Sequence, residues 1–121
     1  MKYMLLIYMT EDALSQPERE QCYVKSAQLA QQLHTNGQFL GTAPLQPVAL
    51  TKTVQVRDGK SLVTDGPFAE TREQLGGFFL IDAKDLDEAI EVAAQIPGAQ
   101  VGTVEIRPII ELPGLPQRQT A

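Results

Sequence analysis

Residues 2–8 carry apolar side chains on both alternating sides of an extended segment. Tyr3, Leu5 and Ile7 fall on one side, and Met4, Leu6 and Tyr8 on the other. A half-exposed strand alternates apolar with polar, so this pattern predicts a strand covered on both faces. Residues 76–81 repeat it, with Phe78, Phe79, Leu80 and Ile81 in a row. Residues 101–110 behave differently. Thr103, Glu105 and Arg107 alternate with Val104, Ile106 and Pro108, so one face of this strand is polar.

Between the strands the period changes. Cys22, Ser26, Leu29, Ala30 and Leu33 recur at helical spacing and predict a helix over 18–36 with one modest apolar stripe. Ser15 with Glu18 three residues on reads as a capping box, and Pro17 suits the first turn. Asn36-Gly37 is the stop, because glycine adopts the left-handed conformation cheaply. A second helix follows Asp85, with Glu88 completing another capping box. Leu86, Ala89, Ile90, Ala93 and Ile96 form its expected buried stripe, and Pro97-Gly98 ends it.

The remaining segments read as strands. Residues 38–45 form one, and 51–57 and 60–64 form a hairpin across Asp58-Gly59, a pair that tolerates positive φ. The order is β-α-β, an inserted hairpin, then β-α-β. That is an α+β fold with an antiparallel sheet, the ferredoxin-like βαβ-(β-hairpin)-βαβ arrangement. The domain is expected to span 1–112, with Pro113, Gly114 and Pro116 opening a C-terminal tail over 113–121. Two helices cover only one face of such a sheet, and the first and penultimate strands are apolar on the other. A second copy of the chain is the simplest cover, which predicts a twofold homodimer. The alternative is that the hairpin and tail fold over that face.

Composition narrows the function. Hydrophobic residues make up 43% of the 121 and charged residues 21%, the balance of a globular domain and not of a disordered one. The net charge is −5, and ten Lys and Arg are scattered without a block, which argues against a nucleic-acid partner. No stretch is long and apolar enough to span a bilayer, and the apolar start lacks the features of a signal peptide. The single cysteine, Cys22, fits a reducing cytoplasm. One His and one Cys make neither a zinc nor a haem site, although carboxylate-only ion binding stays open. Gly76-Gly77 opens a strand and not a helix, so it is no phosphate loop. No cofactor motif is present.

The candidate chemistry lies in Asp65-Gly66-Pro67-Phe68 and the residues after it. Gly66-Pro67 forces a rigid turn that aims Asp65 and Phe68 in fixed directions, and Glu70 and Arg72 follow. An acid, an aromatic ring and an Arg on one loop can rim a small pocket. Asp-Gly-Pro is equally good turn chemistry, in which Asp65 accepts backbone hydrogen bonds and Phe68 plugs the core. Glu105 and Arg107 offer a second polar set, on a strand expected inside the sheet. They either line a cavity between sheets or form an ordinary surface pair. His34 sits where a helix C-terminus favours a cation, the plainer reading beside a proton shuttle. Cys22 reads as a small buried hydrophobe.

Three stretches carry a family resemblance: the start Met1-Lys2-Tyr3-Met4-Leu5-Leu6-Ile7-Tyr8, the segment Val63-Thr64-Asp65-Gly66-Pro67-Phe68-Ala69-Glu70-Thr71, and Glu73-Gln74-Leu75-Gly76-Gly77-Phe78-Phe79-Leu80-Ile81. With the ending Val104-Glu105-Ile106-Arg107-Pro108 they resemble the DGPF-type YCII-related family. The resemblance implies a dimeric α+β barrel, bacterial origin and a mostly unassigned biochemical role. It also implies an association of some relatives with extracytoplasmic-function sigma factors. Asp65 and Phe68 match its central motif, and Glu70, Arg72 and Arg107 follow less directly. The broader family carries a His within the first helix, where this chain holds Ser26 and its neighbours. Two functions follow as expectations. One is small-molecule binding in a pocket near Asp65, extending to a cofactor-free enzyme with Asp65 as acid or base. The other is a non-catalytic regulatory or interaction module linked to a sigma factor.

Overall fold

The computed structural model describes residues 1–116. Six strands and two helices follow one another as β1 (Lys2–Met9), α1 (Gln16–Thr35), β2 (Phe39–Pro44), β3 (Lys52–Arg57), β4 (Lys60–Asp65), β5 (Gln74–Asp82), α2 (Leu86–Gln95) and β6 (Thr103–Pro108). Short 3-10 turns occupy Val48–Leu50 and Pro97–Gln100. Of the expected tail, Pro113 to Pro116 is exposed, and residues 117–121 lie outside the described residues.

The sheet order is β2-β5-β1-β6, all antiparallel, which is the ferredoxin-like arrangement. β1 and β5, the strands apolar on both faces, take the two central places. β6 lies at an edge, paired with β1 alone, and not inside the sheet as the sequence suggested. Its polar alternation suits that place, because an edge strand with one charged face resists further pairing. β3 and β4 form a separate two-stranded sheet, turned by Asp58 at φ 52 and Gly59 at φ 74. Two successive residues at positive φ make the hairpin turn whose twist matches its strands.

Both helices pack on one face of the sheet. Tyr3, Leu5, Phe79 and Ile81 meet Leu29 and Leu33 of α1 and Ala89, Val92, Ala93 and Ile96 around α2. The stripe of α2 differs from the expected one. Val92 is buried, whereas Leu86 and Ile90 are about half exposed. The short helix is apolar enough to offer two faces, and contact with the sheet selects the one bearing small residues. On the other sheet face Met4, Leu6, Tyr8 and Phe78 are half-buried, and neither helix lies over them.

The caps explain the helix ends. Ser15 N–H donates to Glu18 Oε1 at 2.9 Å, and Glu18 N–H donates to Ser15 Oγ at 3.3 Å, a complete capping box. Gly37, at φ +74, donates to His34 O at 3.0 Å and ends α1. At α2 the box is only half formed. Asp85 Oδ1 accepts from Glu88 N–H at 2.9 Å, but Glu88 Oε1 accepts instead from Gln38 Nε2 at 2.7 Å. A partner 50 residues away has taken the group that local spacing assigns to the cap.

The Ser15 backbone N–H, and then its hydroxyl, hold the Glu18 carboxyl below its ordinary pKa. A depressed folded value contributes stability above the unfolded value of about 4.3, and that contribution is lost as pH falls through the folded value. Ser15→Ala is expected to cost about 1 kcal/mol at neutral pH. The acid limb of the stability curve, read by urea titration between pH 3 and 7, should largely persist, because the Ser15 N–H, the first cause of the lowered value, is kept in the variant. Its disappearance in Ser15→Ala would show that the hydroxyl carries the shift.

Candidate functional site

α1 changes character along its length. Leu29 and Leu33 are buried against the sheet, while Ser26, Cys22 and Arg19, about one, two and three turns earlier on the same face, are only half-buried. They stand over a cleft at the end of the sheet where β1 and β2 finish and β5 begins. Its outer part has a volume of about 390 Å³ and is lined by Glu11, Arg19, Cys22, Tyr23, Val48 and Gln74, among others. Its inner part, about 160 Å³, runs beneath α1 between Ile7, Ser26, Ala27, Thr42, Phe79 and Ile96. The two parts adjoin, sharing Met9, Cys22, Tyr23, Pro44 and Gly76 in their linings.

The sheet itself makes this gap. The β1–β5 register shifts between Ile7 and Tyr8, with Ile7 opposite Gly77 and Tyr8 opposite Leu75. Gly76 is the extra residue of a bulge, and bulges bend a strand and re-aim its side chains. The Gly76 carbonyl accepts from Leu45 N–H at 2.8 Å, which draws the chain after β2 to the mouth of the cleft. Gly77 allows β2 to close in, since a Cβ there would stand 3.1 Å from Ala43 O.

The polar groups gather in the outer cleft, where Thr10, Tyr23, Gln46 and Gln74 join Glu11 and Arg19. Thr42 Oγ1 is occupied, donating to Phe78 O at 2.7 Å. Arg19 Nη2 donates to Glu11 O at 3.0 Å, and no carboxylate lies within ion-pair distance of it among the described residues. Glu11 Oε2 accepts from Val48 N–H at 3.4 Å. Cys22 is a free thiol.

The turn singled out in the sequence lies at the base of the hairpin. Gly66 takes φ +93, and its N–H donates to Thr51 O at 2.9 Å, while Thr53 Oγ1 donates to Gly66 O at 2.6 Å. The Asp65 carboxylate pairs with Lys52 across the hairpin and is 85% exposed. Phe68 is 80% exposed, and Glu70 and Arg72 are exposed on the same loop. Glu105 and Arg107 lie on the edge strand opposite Leu6 and Met4 of β1. Within one chain, then, Asp65, Phe68, Glu70 and Arg72 share a loop, and Glu105 and Arg107 stand apart from it. None of the six lines the cleft. The loop does reach the β6 edge, because Thr103 Oγ1 donates to Glu73 Oε1 at 2.9 Å.

Arg19 and Glu11 attracted no notice in the sequence, and Ser26 only as part of an apolar stripe. One signal was legible: Ser26 is polar within that stripe, and Arg19 lies one helical turn before Cys22 on the same side. A helix face that turns from aliphatic to polar halfway along has left the core.

Among the described residues, no group of three or more His, Cys, Asp or Glu is placed to hold a metal ion. No helix is long and apolar enough to cross a membrane. Fold and cleft together define a small ferredoxin-like α+β domain with a cavity between its first helix and its sheet. The chain belongs to the YCII-related family: the model of the YCII-related domain matches residues 1–113. It is also similar to an uncharacterized protein of Rhizobium meliloti (strain 1021), with 36% identity over 114 residues, covering 90% of this chain and 92% of that protein.

Proposed function

We propose that this protein binds a small organic molecule in the cleft beneath the N-terminal half of α1, and does so as a homodimer. The observation that carries the binding reading is the pair of adjoining spaces itself. Its size suits a small metabolite, and α1 offers it Arg19, Cys22 and Ser26 over a floor of apolar strand residues. The dimer reading rests on apolar surface. Phe68 is exposed, Val54, Val56 and Val63 of the hairpin are each about 60% exposed, and an isolated two-stranded ribbon is marginal in water. A partner covering the second sheet face would also face Glu105 and Arg107.

The test is a thermal-shift screen with small aromatic and aliphatic probes, run on the parent protein and on Ser26→Phe, whose ring fills the inner cleft. Probes that raise the melting temperature of the parent are expected to lose that effect in the variant. Stabilisation that survives Ser26→Phe would place the ligand elsewhere. Light scattering at micromolar concentration is expected to give twice the chain mass; a monomer would exclude the dimer.

Asp65 has its own outcome. An exposed ion pair is worth about 0–1 kcal/mol, so Asp65→Asn is expected to change stability by less than that and to leave probe binding intact. Loss of binding in Asp65→Asn would bring the carboxylate into the site.

A further inference from the structure

We infer that the cleft selects a singly charged organic anion with a compact apolar body, such as an aromatic or branched monocarboxylate. The inference rests on the binding reading above and adds the chemical class of the ligand. Three features of the cleft carry it.

The first is Arg19. A guanidinium has five N–H donors in a planar fork and is always charged. Here one nitrogen donates to the Glu11 carbonyl, which holds the group at the cleft wall. The ion pairs among the described residues are Met1–Asp82, Lys2–Glu111 and Lys52–Asp65, so Arg19 has no carboxylate partner of its own. A half-buried, tethered and unpaired guanidinium is suited to a carboxylate, which it can grip through two parallel hydrogen bonds.

The second is the inner cleft. Its walls are mostly apolar, Ile7, Met9, Phe79 and Ile96 among them; Ser26 and Tyr23 also line it, and the Thr42 hydroxyl is already occupied by Phe78 O. An apolar cavity of about 150 Å³ is large enough to take up benzene. The inner volume of about 160 Å³ therefore accommodates one six-membered ring or a branched aliphatic group of similar size. A strongly polar body would find few side-chain partners there, chiefly Ser26 and Tyr23, to replace its hydration.

The third is Glu11, whose side chain lines the outer cleft with Arg19. Its negative charge opposes a second anionic group on the ligand. The pair of charges thus favours one negative head over a dianion such as a phosphate ester or a dicarboxylate. It also makes the sign of the selectivity testable from both sides.

The experiment is calorimetric titration of the full chain with benzoate, benzamide and benzylamine, which share a ring and differ in head charge. Benzoate is expected to bind the parent protein at least tenfold more tightly than benzamide, and benzylamine most weakly. Arg19→Met should remove the preference of benzoate over benzamide while benzamide binding changes less than threefold. Arg19→Lys, which keeps the charge and loses the fork, should retain part of it. Glu11→Gln should tighten benzoate several-fold. Equal binding of benzoate and benzamide by the parent protein, or preference for benzylamine, would overturn the anion assignment while leaving the cleft as a binding site. If none of the three binds, both the assignment and the cleft reading fail. The comparison of probes on the parent protein needs no variant, so a poorly folding Arg19→Met does not decide the matter.

Discussion

Gly102→Ala is expected to destabilise the protein by about 3 kcal/mol, at the upper end of what overpacking costs. A Cβ at position 102 would overlap the Tyr8 carbonyl oxygen and stand 2.9 Å from Met9 Cβ. The closest of these atoms belongs to the backbone of a central strand, so no rotamer change relieves the clash. Gly102 N–H also donates to Gly98 O at 2.8 Å, which ties the start of β6 to the turn after α2. The strand must therefore move as a whole or lose that bond. Urea denaturation should show a lower midpoint with an unchanged slope. Gly41→Ala is the control, because nothing lies within 4 Å of a Cβ there. That variant should shift the midpoint little. A Gly102→Ala midpoint equal to that of Gly41→Ala would mean that β6 is less closely applied to β1 than the structure has it. The same change should weaken probe binding, since Met9 lines both parts of the cleft.

Phe79→Ala is expected to cost about 4 kcal/mol, the usual scale for removing a fully buried ring. Phe79 is 1% exposed, sits on a central strand opposite Leu5, and contributes to the helix-side core. Domains of this kind are stable by only about 5–15 kcal/mol, so the variant is expected to melt far below the parent and to be partly unfolded at moderate temperature. Phe79→Leu conserves more volume and should cost about 1.5 kcal/mol. The side chain also forms part of the inner cleft wall, so Phe79→Leu has a functional readout that core loss alone does not produce. It widens the inner space and should shift preference towards probes with a larger ring system. A Phe79→Ala protein as stable as the parent would show that the helix layer does not depend on this contact.

Much of the architecture was readable from short-range chemistry. The Ser15–Glu18 box, the Asn36-Gly37 stop and the Asp58-Gly59 turn all formed where the residues suggested. Each depends on groups within a few residues of one another, so no knowledge of the rest of the chain is needed. The strands apolar on both sides took the two central places in the sheet, where each pairs along both edges.

The features that the fold decided depend on distant partners. Ala89, Ala93 and Ile96 lie in the core as expected, but the sheet chose Val92 with them and left Leu86 and Ile90 outside. Glu88 left its cap for Gln38. β6 went to the edge, which places Glu105 and Arg107 on its exposed side. The Asp65 turn formed as a rigid corner, with Gly66 at positive φ and its backbone bonded to Thr51 and Thr53. Its carboxylate faces Lys52 and solvent, and not the cleft.

By itself the sequence determined the elements, their ends and their order, because helix caps, hairpin turns and apolar periodicity act over a few residues. It also carried the family, through the run of residues on either side of the Asp65 turn. Tertiary structure alone decided where a ligand can enter. The cleft exists because a bulge at Gly76 bends β5 beneath Cys22 and Ser26, 50 or more residues earlier in the chain. Arg19 becomes a cleft residue only once a helix face that reads as core has lifted off that bend. Such a juxtaposition is set by packing across the sheet, and no local pattern encodes it.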